Sequence, residues 1–284
     1  MGENNIWAVG EINTDSGEYN AARWDGKQWH LIKIKPQGYV QSLQSIFTVN
    51  MNDIWFGRGS LPIHYNGKTY TMLTPNDDGY PGGFIINAIW GTSSSNLYFV
   101  GTGGSIVHYD GATFTRVASG TELDFTDIWG AKDPFQILAV ANDQNYTTLQ
   151  TTVVQIKNGD VSPISLVPIT YPLSTVWFLP NRHYYVGGSG LYEKTHLSDE
   201  FWENNMFAIT RYYVTQIRGA ALNDVWAVGA YGEVLHWNGL NWHSLRSATG
   251  LGNGAYTALA VDRNTVIAVG GNAGYAVILR GRRE

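Results

Sequence analysis

An internal repeat governs what this 284-residue chain can fold into, because a sequence that copies itself at a fixed period builds one supersecondary unit many times. The sharpest copies are NNIWAVG (4–10), NDIWFG (52–57) and NDVWAVG (223–229). Weaker ones are SNLYFVG (95–101), FQILAVA (135–141), RHYYVGG (182–188) and NTVIAVG (264–270). The aligned apolar residues are Ile6, Ile54, Leu97, Ile137, Tyr184, Val225 and Val266, spaced by 48, 43, 40, 47, 41 and 41 residues. A second element follows, as ARWDGKQW (22–29), IHYNGKTY (63–70), VHYDGATF (107–114), LHWNGLNW (235–242) and a worn QIKNGDV (155–161). An Asp-Gly or Asn-Gly pair between two aromatic-rich runs signals a hairpin in which both turn residues take positive φ. A third element precedes each copy but the first: QSIFTV (44–49), NAIWGT (87–92), TDIWGA (126–131), STVWFL (174–179), TQIRGA (215–220) and TALAVD (257–262).

With the run after each Asp/Asn-Gly pair, these elements make four strands, A to D, in a unit of the length of one propeller blade. No helical periodicity competes. The sequence therefore predicts an all-β, seven-bladed β-propeller of four-stranded antiparallel blades, as one domain over residues 1–284. The first blade lacks strand A and the last lacks strand D. A six-bladed ring, with TALAVD completing the first unit, is the alternative, but it leaves residues 265–280 as a surplus hairpin. Incomplete blades expose strand edges that invite pairing with another chain.

The units resemble the DVWAVG…HWDGxxW propeller repeats of many bacterial secreted and lipoprotein sequences, loosely grouped with WD40-, YVTN- and BNR-like propellers. The resemblance covers nearly the whole chain and speaks for the fold, since such repeats are not tied to one activity. The Ser-x-Asp-x-Gly-x-Thr-Trp box of sialidase-type propellers is missing.

Composition narrows the function classes. Charged residues are 14% of the chain and the net charge is −5, which argues against nucleic acid; Arg280, Arg282 and Arg283 read as a solvated tail. There is no cysteine, so thiol chemistry and disulfides are out, and an extracytoplasmic setting fits. No apolar stretch approaches the ~18 residues of a membrane span. The start, MGENNIWAVG, enters the repeat at once and reads as a start placed after a removed export signal.

In an up-and-down blade the A–B and C–D turns lie at one end, and the B–C and D–A connections at the other. Long connections concentrate at the second end: B–C at 11–21 and 142–152, D–A at 74–83, 204–212 and 246–254. That face is expected to carry binding. His64, His108 and His236 occupy one position in different blades, so they are expected to be half-buried imidazoles bonded to backbone, not a metal set. Trp7, Trp55, Trp226, Trp29 and Trp242 read as packing, and Asp25, Asp110, Asn66, Asn158 and Asn238 as turn formers. The inner strands align Phe47, Trp90, Trp129, Trp177, Arg218 and Ala260; Arg218 departs from the aromatics and is a candidate for an anion or sugar. Asn13-x-Asp15-x-Gly17 only faintly resembles a calcium loop.

The candidate ligand-binding residues are therefore Tyr19, Asp77, Asp78, Tyr80, Tyr146, Tyr212 and Arg218, with no catalytic residue, metal or cofactor. The expected function is a non-catalytic extracytoplasmic module that binds a protein or polymer on the B–C/D–A face. A glycan-binding, lectin-like propeller is the first alternative. A glycoside hydrolase, lyase or metal-dependent lactonase is the second, and the inner strands offer it Asp127 and little else acidic.

Overall fold

The computed structural model describes residues 4–74, 83–143, 149–204, 209–262 and 264–282. The first antiparallel sheet holds β1 (Ile6–Thr14), β2 (Gly17–Trp24) and β3 (Trp29–Ile32); the second holds β4 (Ser45–Asn50), β5 (Asp53–Arg58), β6 (Leu61–Tyr65) and β7 (Tyr70–Met72). The third contains β8 (Ile86–Ser93), β9 (Asn96–Gly101), β10 (Ser105–Tyr109) and β11 (Phe114–Val117). The fourth contains β12 (Asp124–Lys132), β13 (Phe135–Asn142), β14 (Thr151–Lys157) and β15 (Asp160–Pro163). The fifth is β16 (Leu173–Leu179), β17 (His183–Gly188), β18 (Gly190–Lys194) and β19 (Glu203–Asn204). The sixth is β20 (Val214–Ala221), β21 (Asp224–Gly229), β22 (Val234–Trp237) and β23 (Trp242–Ser244). β24 (Ala255–Asp262), β25 (Thr265–Asn272) and β26 (Tyr275–Arg282) form the seventh.

Each sheet is a meander in chain order, as a seven-bladed β-propeller requires, and its blades are the predicted A–B–C–D units. Among the described residues the first and last sheets have three strands, without A and D respectively.

Contacts group the chain into two compact units, Met1–Ile128 with Asn158–Val161, and Trp129–Lys157 with Ser162–Glu284. In the first, Trp55, Phe84, Ile86, Leu97, Phe99 and Val107 pack into one core, and Ala21, Ile34, Leu43, Ile54, Phe56 and Ile63 into another. In the second, Trp177, Tyr185, Leu191, Val214, Ile217 and Val225 share a core. Strands β9 and β17 are buried at nearly every position, and side chains of the fourth and sixth sheets pack on the two faces of the fifth, to which β17 belongs. That is why strand B reads as a continuous apolar run instead of an alternating one.

The blade ends sort as the strand order predicts. A Cβ built on Gly67, Gly111 or Gly239 would come within 2.8, 2.8 and 2.7 Å of Asn52, Ser95 and Asn223, so each C–D turn sits on the A–B turn of its own blade. The turn chemistry differs from expectation. At Gly26, Gly67, Gly111 and Gly239 only the glycine has positive φ. The preceding Asp or Asn instead caps the turn: Asp110 Oδ1 accepts the N–H groups of Ala112 and Thr113 at 2.8 and 2.7 Å. These bonds hold the Asp110 carboxyl down at about 2. The worn copy alone among these turns has both residues at positive φ, Asn158 at 53° and Gly159 at 85°. A four-residue turn with a side-chain cap needs one left-handed residue, whereas a two-residue turn needs two.

Residues 11–21 are also not a loop. They extend β1 and β2 into a hairpin closed at Asp15–Ser16, with Ile12 opposite Tyr19 and Thr14 opposite Gly17. Thr14 Oγ1 donates to the Gly17 carbonyl at 3.0 Å, and Asn13 bonds Glu11 at 3.1 Å, so the faintly calcium-like string is a turn.

Candidate functional site

The most conspicuous polar residues form a cassette repeated between strands B and C. In blade 2, Trp55 stacks on His64 at 4.4 Å and 19°. His64 Nε2 lies 2.9 Å from Asp53 Oδ1, Trp55 Nε1 donates to the same oxygen at 3.1 Å, and Ser94 Oγ donates to Asp53 Oδ2. Blade 6 repeats this with Asp224, Trp226 and His236, the rings stacked at 4.1 Å. In blade 3, His108 meets Asn96 Oδ1 at 2.8 Å. Blade 5 exchanges the partners: His183 takes the strand-opening position and Glu193 the strand-C position, 2.7 Å apart. Blade 1 replaces the imidazole with Arg23, whose Nε donates to Asn5 Oδ1 at 2.7 Å while its guanidinium lies over Trp7. The histidines are structural, but their partners are side chains opening strand B and not backbone, which corrects the sequence expectation.

One cassette member carries a pH signature. Burial pushes the His108 imidazole below its ordinary value, against a smaller opposing pull from Asp110. The unfolded chain therefore takes up the proton first, near pH 6.5. Stability is full above that pH and declines as pH falls below it. Between pH 7.5 and 5.5 the urea midpoint of the wild type should fall further than that of His108→Gln; parallel declines would contradict the assignment.

Of the sequence-predicted site residues, Asp77, Asp78, Tyr80 and Tyr146 lie outside the described residues. Tyr19 sits on the β1–β2 hairpin, its ring under Lys33 Nζ at 4.7 Å and its hydroxyl 3.3 Å from Ser16 Oγ. Arg218, on β20, donates to the carbonyls of Ile217 and Val176 at 2.7 and 3.4 Å and lies 4.9 Å over the Trp129 ring. Asp127 is buried and accepts the Ile128 N–H at 3.0 Å.

Tyr212 belongs to a built cluster at the B–C/D–A end of blade 6. Its ring lies 5.3 Å from that of Tyr231 at 42°, and the Arg246 guanidinium covers it at 4.7 Å. Arg246 Nε also donates to the Tyr231 carbonyl at 2.6 Å. Tyr231 is 50% exposed and has left-handed backbone, φ 56° and ψ 32°. A non-glycine residue pays roughly 1–2 kcal/mol for that conformation, so its surroundings must enforce it. They do so through Glu233, which is 3% exposed and accepts Thr210 Oγ1 at 2.7 Å and Ser244 Oγ at 2.5 Å. One buried carboxylate thus ties together the segment before β20, the B–C turn and β23. Gly232 N–H donates to the Gly254 carbonyl at 2.7 Å, fixing the turn to the next D–A connection. Sequence reasoning missed Tyr231 and Arg246. The available signal was Glu233, a carboxylate placed directly before the apolar run VLHW.

A shallow cleft of about 840 Å³ lies at the same end of blade 3, between Gly103, Arg116 and the segment 118–122. It has no aromatic lining. Among the described residues, no three His, Cys, Asp or Glu side chains converge on a metal position, and no helix is long and apolar enough to cross a membrane.

Fold and site define the chain as a β-propeller. It matches no protein-family model and no curated protein. Solved structures do resemble it. YCF48 bound to D1 peptide superposes with a TM-score of 0.75 at 15% identity, over 100% of this chain and 89% of that one. The WD40 propeller domain of Doa1 gives 0.72 at 10% identity, over 99% and 90%. PorZ, a surface component of the type-IX secretion system of Porphyromonas gingivalis, gives 0.65 at 12% identity, over 97% of this chain and 43% of that one.

Proposed function

We propose that this protein is a non-catalytic, extracytoplasmic binding module that engages a polypeptide partner at the B–C/D–A ends of its blades. The observation that carries the reading is the Tyr212–Tyr231–Arg246 cluster. Tyrosine and arginine dominate interface hot spots, and rings held rigidly in advance lose little entropy on binding. Here the left-handed Tyr231 and the buried Glu233 supply that rigidity. Arg246 already covers one face of Tyr212, which favours a peptide over a sugar needing an open stacking platform. That one similar propeller is known with a peptide bound agrees with this choice. The cysteine-free composition supports the setting. Asp77, Asp78, Tyr80 and Tyr146 fall in the connections 74–83 and 142–152 of the sequence and stay candidates on that reading alone.

Selection from a displayed peptide library should yield a ligand that Tyr231→Ala and Arg246→Ala each weaken at least tenfold by calorimetry. Leu240→Ala, at an 80%-exposed C–D turn position, should leave its affinity unchanged. The reverse pattern would refute the assignment of the face. Binding on a glycan array without any peptide ligand would favour the lectin reading.

A further inference from the structure

Blade 2 breaks the repeat at one position. Four residues after its aligned apolar residue, strand B carries Gly10, Gly101, Gly188, Gly229 and Gly270 in five blades and Ala141 in the fourth, but Arg58 in the second. Glycine is needed where the backbone entering strand A crosses it. A Cβ on Gly101 would lie 1.7 Å from the Ile85 carbonyl oxygen, and one on Gly229 would lie 2.0 Å from that of Tyr213. In those blades the same carbonyl accepts the next N–H, from Thr102 at 3.2 Å and from Ala230 at 2.9 Å. In blade 2 the side-chain Oε1 of Gln44 takes over that role, accepting the Gly59 N–H at 2.8 Å. This exchange leaves room for an arginine.

Arg58 is only 6% exposed, yet all its partners are neutral. Nε donates to Gln41 Oε1 at 2.6 Å, and Nη1 lies 3.5 Å from Gln37 Oε1 and 3.2 Å from Met72 Sδ. The guanidinium lies 4.7 Å over the ring of Tyr39, which is 52% exposed and donates its hydroxyl to Gln37. Among the described residues no carboxylate forms an ion pair with Arg58. Nη2 has no acceptor among them either, and the residue keeps a small exposed area. The backbone of Gln41 is held in place by Asn20. Asn20, fully buried on β2, donates to the carbonyls of Ile34 and Gln41 at 2.8 and 2.7 Å and accepts the Ile34 N–H at 2.8 Å.

A guanidinium withdrawn from water without a counter-charge is unfavourable, and neutral amides offset only part of that cost. We propose that Arg58, with Gln37, Gln41 and Tyr39, forms a niche for a carboxylate carried by a polypeptide, either an acidic side chain or a chain terminus. The niche belongs to blade 2 and does not depend on the blade 6 cluster.

The test is a titration of the intact protein, followed by NMR at the Arg58 Nε–H and Gly59 N–H resonances at constant ionic strength. The probes are acetyl-Ala-Ala-Ala with a free carboxylate, acetyl-Ala-Glu-Ala amide and acetyl-Ala-Ala-Ala amide, with sodium chloride and sodium sulfate as controls. A saturable shift with at least one carboxylate probe and none with the neutral amide is expected; the tighter of the two identifies the source. Arg58→Gln should abolish the Gly59 response without lowering the melting temperature, because it removes an uncompensated charge. If that variant does not fold, Tyr39→Ala must weaken binding severalfold. The proposal fails if neither carboxylate saturates, if sulfate or chloride gives the same response, if Arg58→Gln folds but melts earlier or keeps the response, or if Tyr39→Ala binds unchanged.

Discussion

Replacing Gly101 with alanine is expected to destabilise the protein by on the order of 3–4 kcal/mol, far more than one added methyl ordinarily costs. The new Cβ would meet the Ile85 carbonyl oxygen at 1.7 Å, and that oxygen is backbone that cannot swing away like a flexible side chain. Moving it would break the Thr102 N–H bond it accepts at 3.2 Å and shift the start of β8, where Ile86 is fully buried. Gly103, two residues on, is the control. It has φ 63° with open space around its Cβ position, so alanine there carries only the left-handed penalty of about 1–2 kcal/mol. Urea denaturation of both variants separates steric from conformational cost, and equal losses would show that the carbonyl gives way.

Asp53→Ala should cost roughly 2–4 kcal/mol, because it strands several donors at once. Trp55 Nε1 and His64 Nε2 converge on Oδ1, and Ser94 Oγ donates to Oδ2. An ionised carboxylate only accepts, so the imidazole must present its Nε2 proton. Trp55 is 1% exposed, so its indole N–H is the donor least able to find a replacement acceptor, whereas His64 stays partly exposed. His64→Ala in the same background should cost less than it does alone, since its partner is already gone. Additive losses in that double-mutant cycle would mean that the pair is uncoupled.

These two positions show how far the sequence reached. The terminal glycine and the opening Asp both belong to the repeat, so their roles recur from blade to blade and local patterning was enough to align them. Even so, the cassette partners were misjudged as backbone. Strand register alone sets Trp55 opposite His64, and no pattern of spacing states which side chain fills the gap beside an imidazole. The 11–21 segment was misread for a similar reason. Its Gly, Asn and Asp suit a loop, but pairing across the hairpin absorbs its backbone groups into the ladder.

Where blades differ, the sequence was weakest. Tyr212 was picked out, but as one exposed ring among several. Its company came from Tyr231 and Arg246, 15 residues apart from each other and on separate connections. Arg58 passed unremarked, although it stands where most blades have glycine.

The repeat by itself determined the all-β class, the seven blades, the strand order with incomplete first and last blades, and the two kinds of blade end, because each follows from local strand and turn preferences copied at a fixed period. Tertiary structure alone decided which deviations acquire chemistry. A buried Glu233 can hold a strained tyrosine, and a Gln44 side chain can replace a backbone carbonyl, only once connections distant in sequence have been packed against one another.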